Sequence, residues 1–114
     1  MTVRGLIGRL DLDLKNNGCV EAVINGCYAS DMLSDVLANG KEGNIWITRQ
    51  THPNVVAVAA IKGLSGIIVT GGKQIEAETL EKAEAECIPV ISTSLQTYDM
   101  VGMVYNLLLK NERR

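Results

Sequence analysis

Apolar and polar positions change rhythm along the chain. Over residues 8–14, "GRLDLDL", apolar and charged residues alternate, and a period of two predicts a strand with one wet face. "NNG" at 16–18 is a turn signal, and "CVEAVINGCYA" at 19–29 contains a second strand; antiparallel pairing of the two is the expectation. From residue 30 the spacing is helical. Met32, Leu33, Val36 and Leu37 share a face, Ser30 or Asp31 is placed to cap the start, and Gly40 falls where a helix stops.

Strand and helix then alternate three times. "NIWIT" at 44–48, "GIIVT" at 66–70 and "IPVIST" at 88–93 predict strands. "HPNVVAVAAIKG" at 52–63, "IEAETLEKAEAE" at 75–86 and "QTYDMVGMVYNLLLK" at 96–110 predict helices. Pro53 suits the first turn of one, and the early acids of the next suit the positive end of its dipole. Short connections between such units imply an α/β fold: a three-layer single domain over residues 1–114, with a mostly parallel sheet flanked by helices. The continuous apolar runs "IIV" and "PVI" fit strands buried on both faces.

Composition narrows the function. With 114 residues and 46% apolar content there is material for one core. A net charge of −2 gives no global basic field, so nucleic acid is not an expected partner, and Lys110, Arg113 and Arg114 read as a solvated tail. There is no apolar run of about 18 residues to span a membrane and no signal-peptide core, so a cytoplasmic protein is expected. Three cysteines without a CxxC pair predict neither a disulfide framework nor a zinc site. Cys27 and Cys87, among apolar neighbours, read as buried reduced thiols.

"IIVTGGKQ" at 67–74 raises the question of chemistry. A Walker loop needs GxxxxGK followed by Ser or Thr. Here Ile67 stands five before Gly72, and Gln74 follows Lys73, so no hydroxyl is placed for magnesium. GxGxxG is absent too. Two readings remain open: Gly71 and Gly72 permit a tight strand-to-helix turn, or their bare amides form an anion-binding concavity helped by Lys73.

In a parallel sheet, ligands bind beyond the carboxyl ends of the strands. Three polar tips should gather there. They contribute Thr48, Arg49 and His52; Thr70, Gly71, Gly72 and Lys73; and Ser92, Thr93 and Ser94. This donor-rich set suits a small anion or a phosphorylated metabolite. It carries no acid, so no catalytic residue, metal ligand or cofactor is expected. The single histidine, His52, would need a distant acid such as Asp31 or Asp99 to build a triad, and reads equally as a helix-start residue. Cys87 belongs to the opposite rim, away from His52.

The stretch 66–108, from "GIIVTGG" through "IPVIST" to the last helix, resembles the DRTGG domain family, as does the stretch 30–64. The match runs over 30–109, and its most specific parts are "TGG" after an apolar strand, "IPVIST", and the threonine opening the last helix. DRTGG domains are similar to the amino-terminal domain of HPr kinase/phosphorylase and more distantly to that of the Mur ligases. The resemblance implies an α/β module, regulatory or structural, without a catalytic P-loop domain. The family's "TGG" falls on Thr70, Gly71 and Gly72. Its Asp-Arg pair has no counterpart, the chain reading "QTHP" at 50–53.

Two helices, 54–61 and 98–109, lack a continuous polar face, which predicts burial on both sides and hence a homo-oligomer, with a dimer favoured. The acid-rich helix at 76–86 should face solvent. The expected function is a non-enzymatic regulatory or oligomerisation module with a small anionic ligand and a regulatory protein partner. The alternatives are a small phosphotransfer or acyl-transfer enzyme using Thr70, Ser92 or His52, and a scaffold without a ligand.

Overall fold

A computed structural model describes residues 1–112; Arg113 and Arg114, two of the three basic residues of the tail expected above, lie outside the described residues. The elements run α1 (Val3–Leu10), β1 (Asp13–Leu14), β2 (Gly26–Ala29), α2 (Leu33–Asn39), β3 (Asn44–Thr48), α3 (Asn54–Lys62), β4 (Gly66–Val69), α4 (Ala77–Ala85), β5 (Val90–Ser92) and α5 (Thr97–Glu112). The strands form one sheet in the order β1-β5-β4-β3-β2. Strands β2 to β5 are parallel, and β1 pairs antiparallel with β5, Asp13 opposite Ser92 and Leu14 opposite Ile91.

From β2 to β5 the chain steps across the sheet in one direction. Crossovers of one hand then place α2, α3 and α4 on the same face. Helix α5 returns across the other face to contact β2 and β3. Successive strand residues feed opposite layers. Trp46, Ile67, Val69 and Val90 pack with Val55, Val56 and Ala59 of α3 and Ala83 of α4. Ile45, Ile47, Ile68 and Ile91 pack with Val3 and Leu6 of α1 and Met100 and Val104 of α5. Every residue of β3 and β4 is buried, as the unbroken apolar runs imply.

The amino-terminal third departs from its pattern. Residues 8–10 belong to helix α1, and only Asp13 and Leu14 form a strand. Thr2 starts this helix, its Oγ1 accepting from the Gly5 amide at 3.1 Å. Val3, Leu6, Ile7 and Leu10 then share one helical face, so a 3.6-residue period overrides the alternation read over residues 8–14. The expected hairpin does not form: β1 and β2 lie at opposite edges of the sheet. The strap between them caps α1 instead, the Ala22 and Val20 carbonyls accepting from the Val3 and Arg4 amides at 3.0 and 2.8 Å. Asn16 anchors the strap, donating to the Ile88 carbonyl at 2.8 Å and accepting from the Val90 amide at 2.9 Å.

The cysteines also depart from expectation. Cys19 and Cys87 form a disulfide with Cα atoms 5.1 Å apart, leaving Cys27 free. Cys87 is therefore an exposed, bridged residue and not a buried thiol. The pairing depends on the strap and the α4–β5 turn meeting across 68 residues, a non-local contact.

Candidate functional site

The carboxyl ends of β5, β4 and β3 stand side by side, so the three polar tips do gather at one rim. The ladder continues one step beyond the strands: the Thr70 amide donates to the Thr48 carbonyl and the Thr93 amide to the Val69 carbonyl, each at 3.0 Å. Thr48 and Thr70 are fully buried. The Thr70 Oγ1 lies 2.7 Å from Thr97 Oγ1, at the first residue of α5.

The glycine pair does not form an anion nest. Gly71 and Gly72 have φ of 85° and 64°, and their amides donate to the Leu95 carbonyl at 2.8 Å and the Thr93 carbonyl at 2.9 Å. Positive φ here turns the chain so that it latches onto the β5–α5 connection, which is the turn reading in a more specific form. Thr93 is likewise engaged, its Oγ1 accepting from the Leu95 amide at 3.2 Å, while Ser94 is exposed. His52 is a helix-start residue: its Nδ1 accepts from the Asn54 amide at 3.2 Å. Thr79 Oγ1 donates to the Thr51 carbonyl at 2.7 Å and ties α4 to the same corner.

Residues absent from the sequence-derived set also enter the rim, Asp31, Gln50, Gln74 and Lys15 among them. Asp31 lies just beyond β2, the fourth parallel strand. Its Oδ1 accepts from Thr48 Oγ1 at 3.0 Å and from the Arg49 amide at 2.7 Å, and its carbonyl accepts from Gln50 Nε2 at 2.9 Å. Asp31 thus belongs to the mouth, correcting both the acid-free rim and its expected role as helix cap. The residue before α2 is Met32, and no side chain caps that helix. The signal was available: a parallel β2 must end at the same edge as its neighbours. Lys15 arrives from antiparallel β1 and is paired with Asp13 at 2.7 Å; no local pattern announces it.

Just beyond Asp31, Asp35 ties α2 to β2. Tyr28 donates to Asp35 at 2.9 Å and Asn39 donates to it at 2.8 Å. Hydrogen bonds from Ser30, Asn39 and Tyr28 keep the Asp35 carboxyl below its usual range, and the Tyr28 hydroxyl is raised, chiefly by that bond to Asp35.

Two polar clefts open at the rim. One, of about 450 Å³, is lined by Lys15, Gly72, Lys73, Gln74 and Ser92, together with Ile75 and Leu80. The other, of about 270 Å³, is lined by Asp31, Arg49, Gln50 and Lys73. Lys73 borders both. The Arg49 guanidinium leans over the turn, its Nε 3.7 Å from where a Gly71 Cβ would stand. Among the described residues, neither Arg49 nor Lys73 is in an ion pair, and no His/Cys/Asp/Glu group could hold a metal ion.

An apolar cavity of about 280 Å³ lies elsewhere, between edge strand β2 and α5, lined by Gly26, Cys27, Ala29, Val101, Tyr105 and Leu108 among others. Burial pushes the Cys27 thiol up to about 11. The two helices singled out for self-association pack one face each on their own domain. On α3, Val55, Val56, Val58 and Ala59 are buried; on α5, Met100 and Val104 are buried, so Met100 exposes nothing. What stays apolar and accessible is Ile61 on α3 and Tyr98, Met103 and Tyr105 on α5. The outer face of α4 is acidic and exposed. Among the described residues no helix is long and apolar enough to cross a membrane.

A family model for the DRTGG domain matches residues 15–107. Among solved structures, the chain resembles the CBS and DRTGG domains of the regulatory region of Clostridium perfringens pyrophosphatase, complexed with its activator diadenosine tetraphosphate. The TM-score is 0.65 at 20% identity, over 86% of this chain and 43% of that one. The chain therefore spans less than half the length of that neighbour. No curated protein sequence matches it.

Proposed function

The chain belongs to the DRTGG domain family, and we propose that it is a non-enzymatic regulatory module that binds a small anionic or phosphorylated ligand at the carboxyl rim of its sheet. The observation that carries the reading is the cleft where Lys15, Lys73 and Ser92 converge. Two ammonium groups and a hydroxyl supply the donors that a phosphate group needs. The pyrophosphatase region is regulatory and holds a phosphate-rich activator, which agrees with this ligand class.

The absence of catalysis is part of the proposal. The Thr70 hydroxyl is buried and engaged, and His52 Nδ1 accepts a backbone amide, which supports leaving these two out of acyl-transfer chemistry; the Ser92 hydroxyl stays open at the cleft, where it serves as a donor to the ligand. A cytoplasmic location, a homodimer and a regulatory protein partner complete the reading. The dimer is supported by the tyrosines and methionine left accessible on α5 beside edge strand β2.

Thermal melting and calorimetry in phosphate and pyrophosphate test the ligand. Saturation at about 100 times the dissociation constant adds about 2.7 kcal/mol, a rise of several degrees in a domain this size. Lys73→Gln should abolish most of the rise. Melting unchanged by either anion sinks the proposal, as does phosphate release from ATP or acetyl phosphate that His52→Ala removes.

A further inference from the structure

We propose that the two rim clefts are halves of one site for a phosphorylated sugar or polyol, with the phosphate between Lys15 and Lys73 and a hydroxyl pair of the ligand read by Asp31 and Gln50. This rests on the anion reading above and specifies it. Lys73 lines both clefts, so a ligand seated in one extends past it into the other.

Charge decides which end goes where. The Asp31 carboxylate repels a phosphate beside it and offsets part of the positive charge that Arg49 and Lys73 bring to the same cleft. No acid lines the cleft with Lys15, Lys73 and Ser92, and Asp13 is paired with Lys15. Phosphate therefore belongs there. The Asp31 side calls for a neutral donor. Its Oδ1 is committed to Thr48 and the Arg49 amide, which locks the carboxylate. Oδ2 has no hydrogen-bond partner among the described residues. The Gln50 amide is oriented by its bond to the Asp31 carbonyl, with Oε1 unengaged. Two fixed acceptors at one mouth match the two O–H donors of a vicinal diol, the arrangement by which carboxylates hold ribose hydroxyls.

Isothermal titration of the full chain with inorganic phosphate, ribose 5-phosphate and ribose separates the levels. Ribose 5-phosphate should bind about tenfold more tightly than phosphate, the gain expected from hydrogen bonds to a charged acceptor. Asp31→Asn keeps an oxygen for Thr48 and Arg49 but loses the charge, and should erase that gain while leaving phosphate affinity intact. Gln50→Ala should reduce the gain in a variant that leaves Asp31 in place. Lys73→Gln should weaken both ligands. If phosphate binds and the sugar adds nothing, or if Asp31→Asn weakens both ligands equally, the two-cleft inference is overturned and the anion reading stands. If neither phosphate nor sugar phosphate binds, both fall.

Discussion

The hydroxyls of Thr70 and Thr97 meet at 2.7 Å, joining the turn after β4 to the first residue of α5. Together with the Gly71 and Gly72 amides on the Leu95 and Thr93 carbonyls, this bond makes the "TGG" segment a latch for the β5–α5 connection. Thr70→Val or Thr97→Val should each cost about 1–3 kcal/mol, because the partner hydroxyl is left unsatisfied in a part-buried place. The double variant should cost less than the sum. Urea unfolding of all four proteins gives the coupling, and strictly additive losses would show that the hydroxyls do not interact.

The Cys19–Cys87 bridge closes a loop across 68 residues. For a loop of this size the chain-entropy model assigns a stabilisation of roughly 4 kcal/mol. Reduction, or the double substitution Cys19→Ser with Cys87→Ser, should lower the unfolding midpoint accordingly. Denatured protein kept without reductant should show one titratable thiol, that of Cys27. Three thiols in protein purified without reductant would mean that the bridge is not formed.

Two glycines should respond in opposite directions. Gly8 lies in α1 with open space around it, so Gly8→Ala should stabilise by up to about 1 kcal/mol through helix propensity. At Gly18 a Cβ would overlap the backbone of Ile88 and Pro89. Gly18→Ala should push the strap off β5 and lower the melting temperature by several degrees. Equal melting temperatures for the two variants would refute this packing of the strap.

Alkaline pH should destabilise the fold through Cys27. Its thiol is raised from 9.0 to about 11 by burial, so the folded state favours the neutral form. The contribution is complete below about pH 9 and is lost as pH rises towards 11, because the unfolded chain ionises first. Comparing urea midpoints at about pH 8 and about pH 10.5 in the unmutated protein and in Cys27→Ala isolates the effect. The same slope in both would assign the loss elsewhere. The thiol should also resist alkylation at neutral pH, since little thiolate is present.

Self-association, if it uses α5, should depend on Tyr105, which is 64% exposed beside the apolar cavity. Light scattering should give at least twice the mass of one chain at micromolar concentration. Tyr105→Glu should return it to one chain, while Glu81→Lys on α4 should not. A monomer for the unmutated protein would remove the dimer from the proposal.

Some of this was decided locally and some was not. From Leu33 onward each helix and strand carries its own period and breakers, so the sequence by itself determined the strand-helix alternation, the mostly parallel sheet and the meeting of Thr48, Thr70 and Ser92 at one rim. Periodicity acts over a few residues, and those residues are neighbours in the chain. The tertiary structure decided what depends on distant partners. It set α1 rather than a strand over residues 8–10, because Ile24, Ile45 and Met100 offer its Val3–Leu6 face a core. It sent β1 to the far edge, where Asn16 finds the Ile88 carbonyl and Val90 amide, and so brought Lys15 to the cleft. It joined Cys19 to Cys87 and committed the glycine amides to the α5 connection. Each of these is a pairing between residues far apart in sequence, and the burial, hydrogen bonding or covalent bridge that holds it exists only once the sheet has brought the partners together.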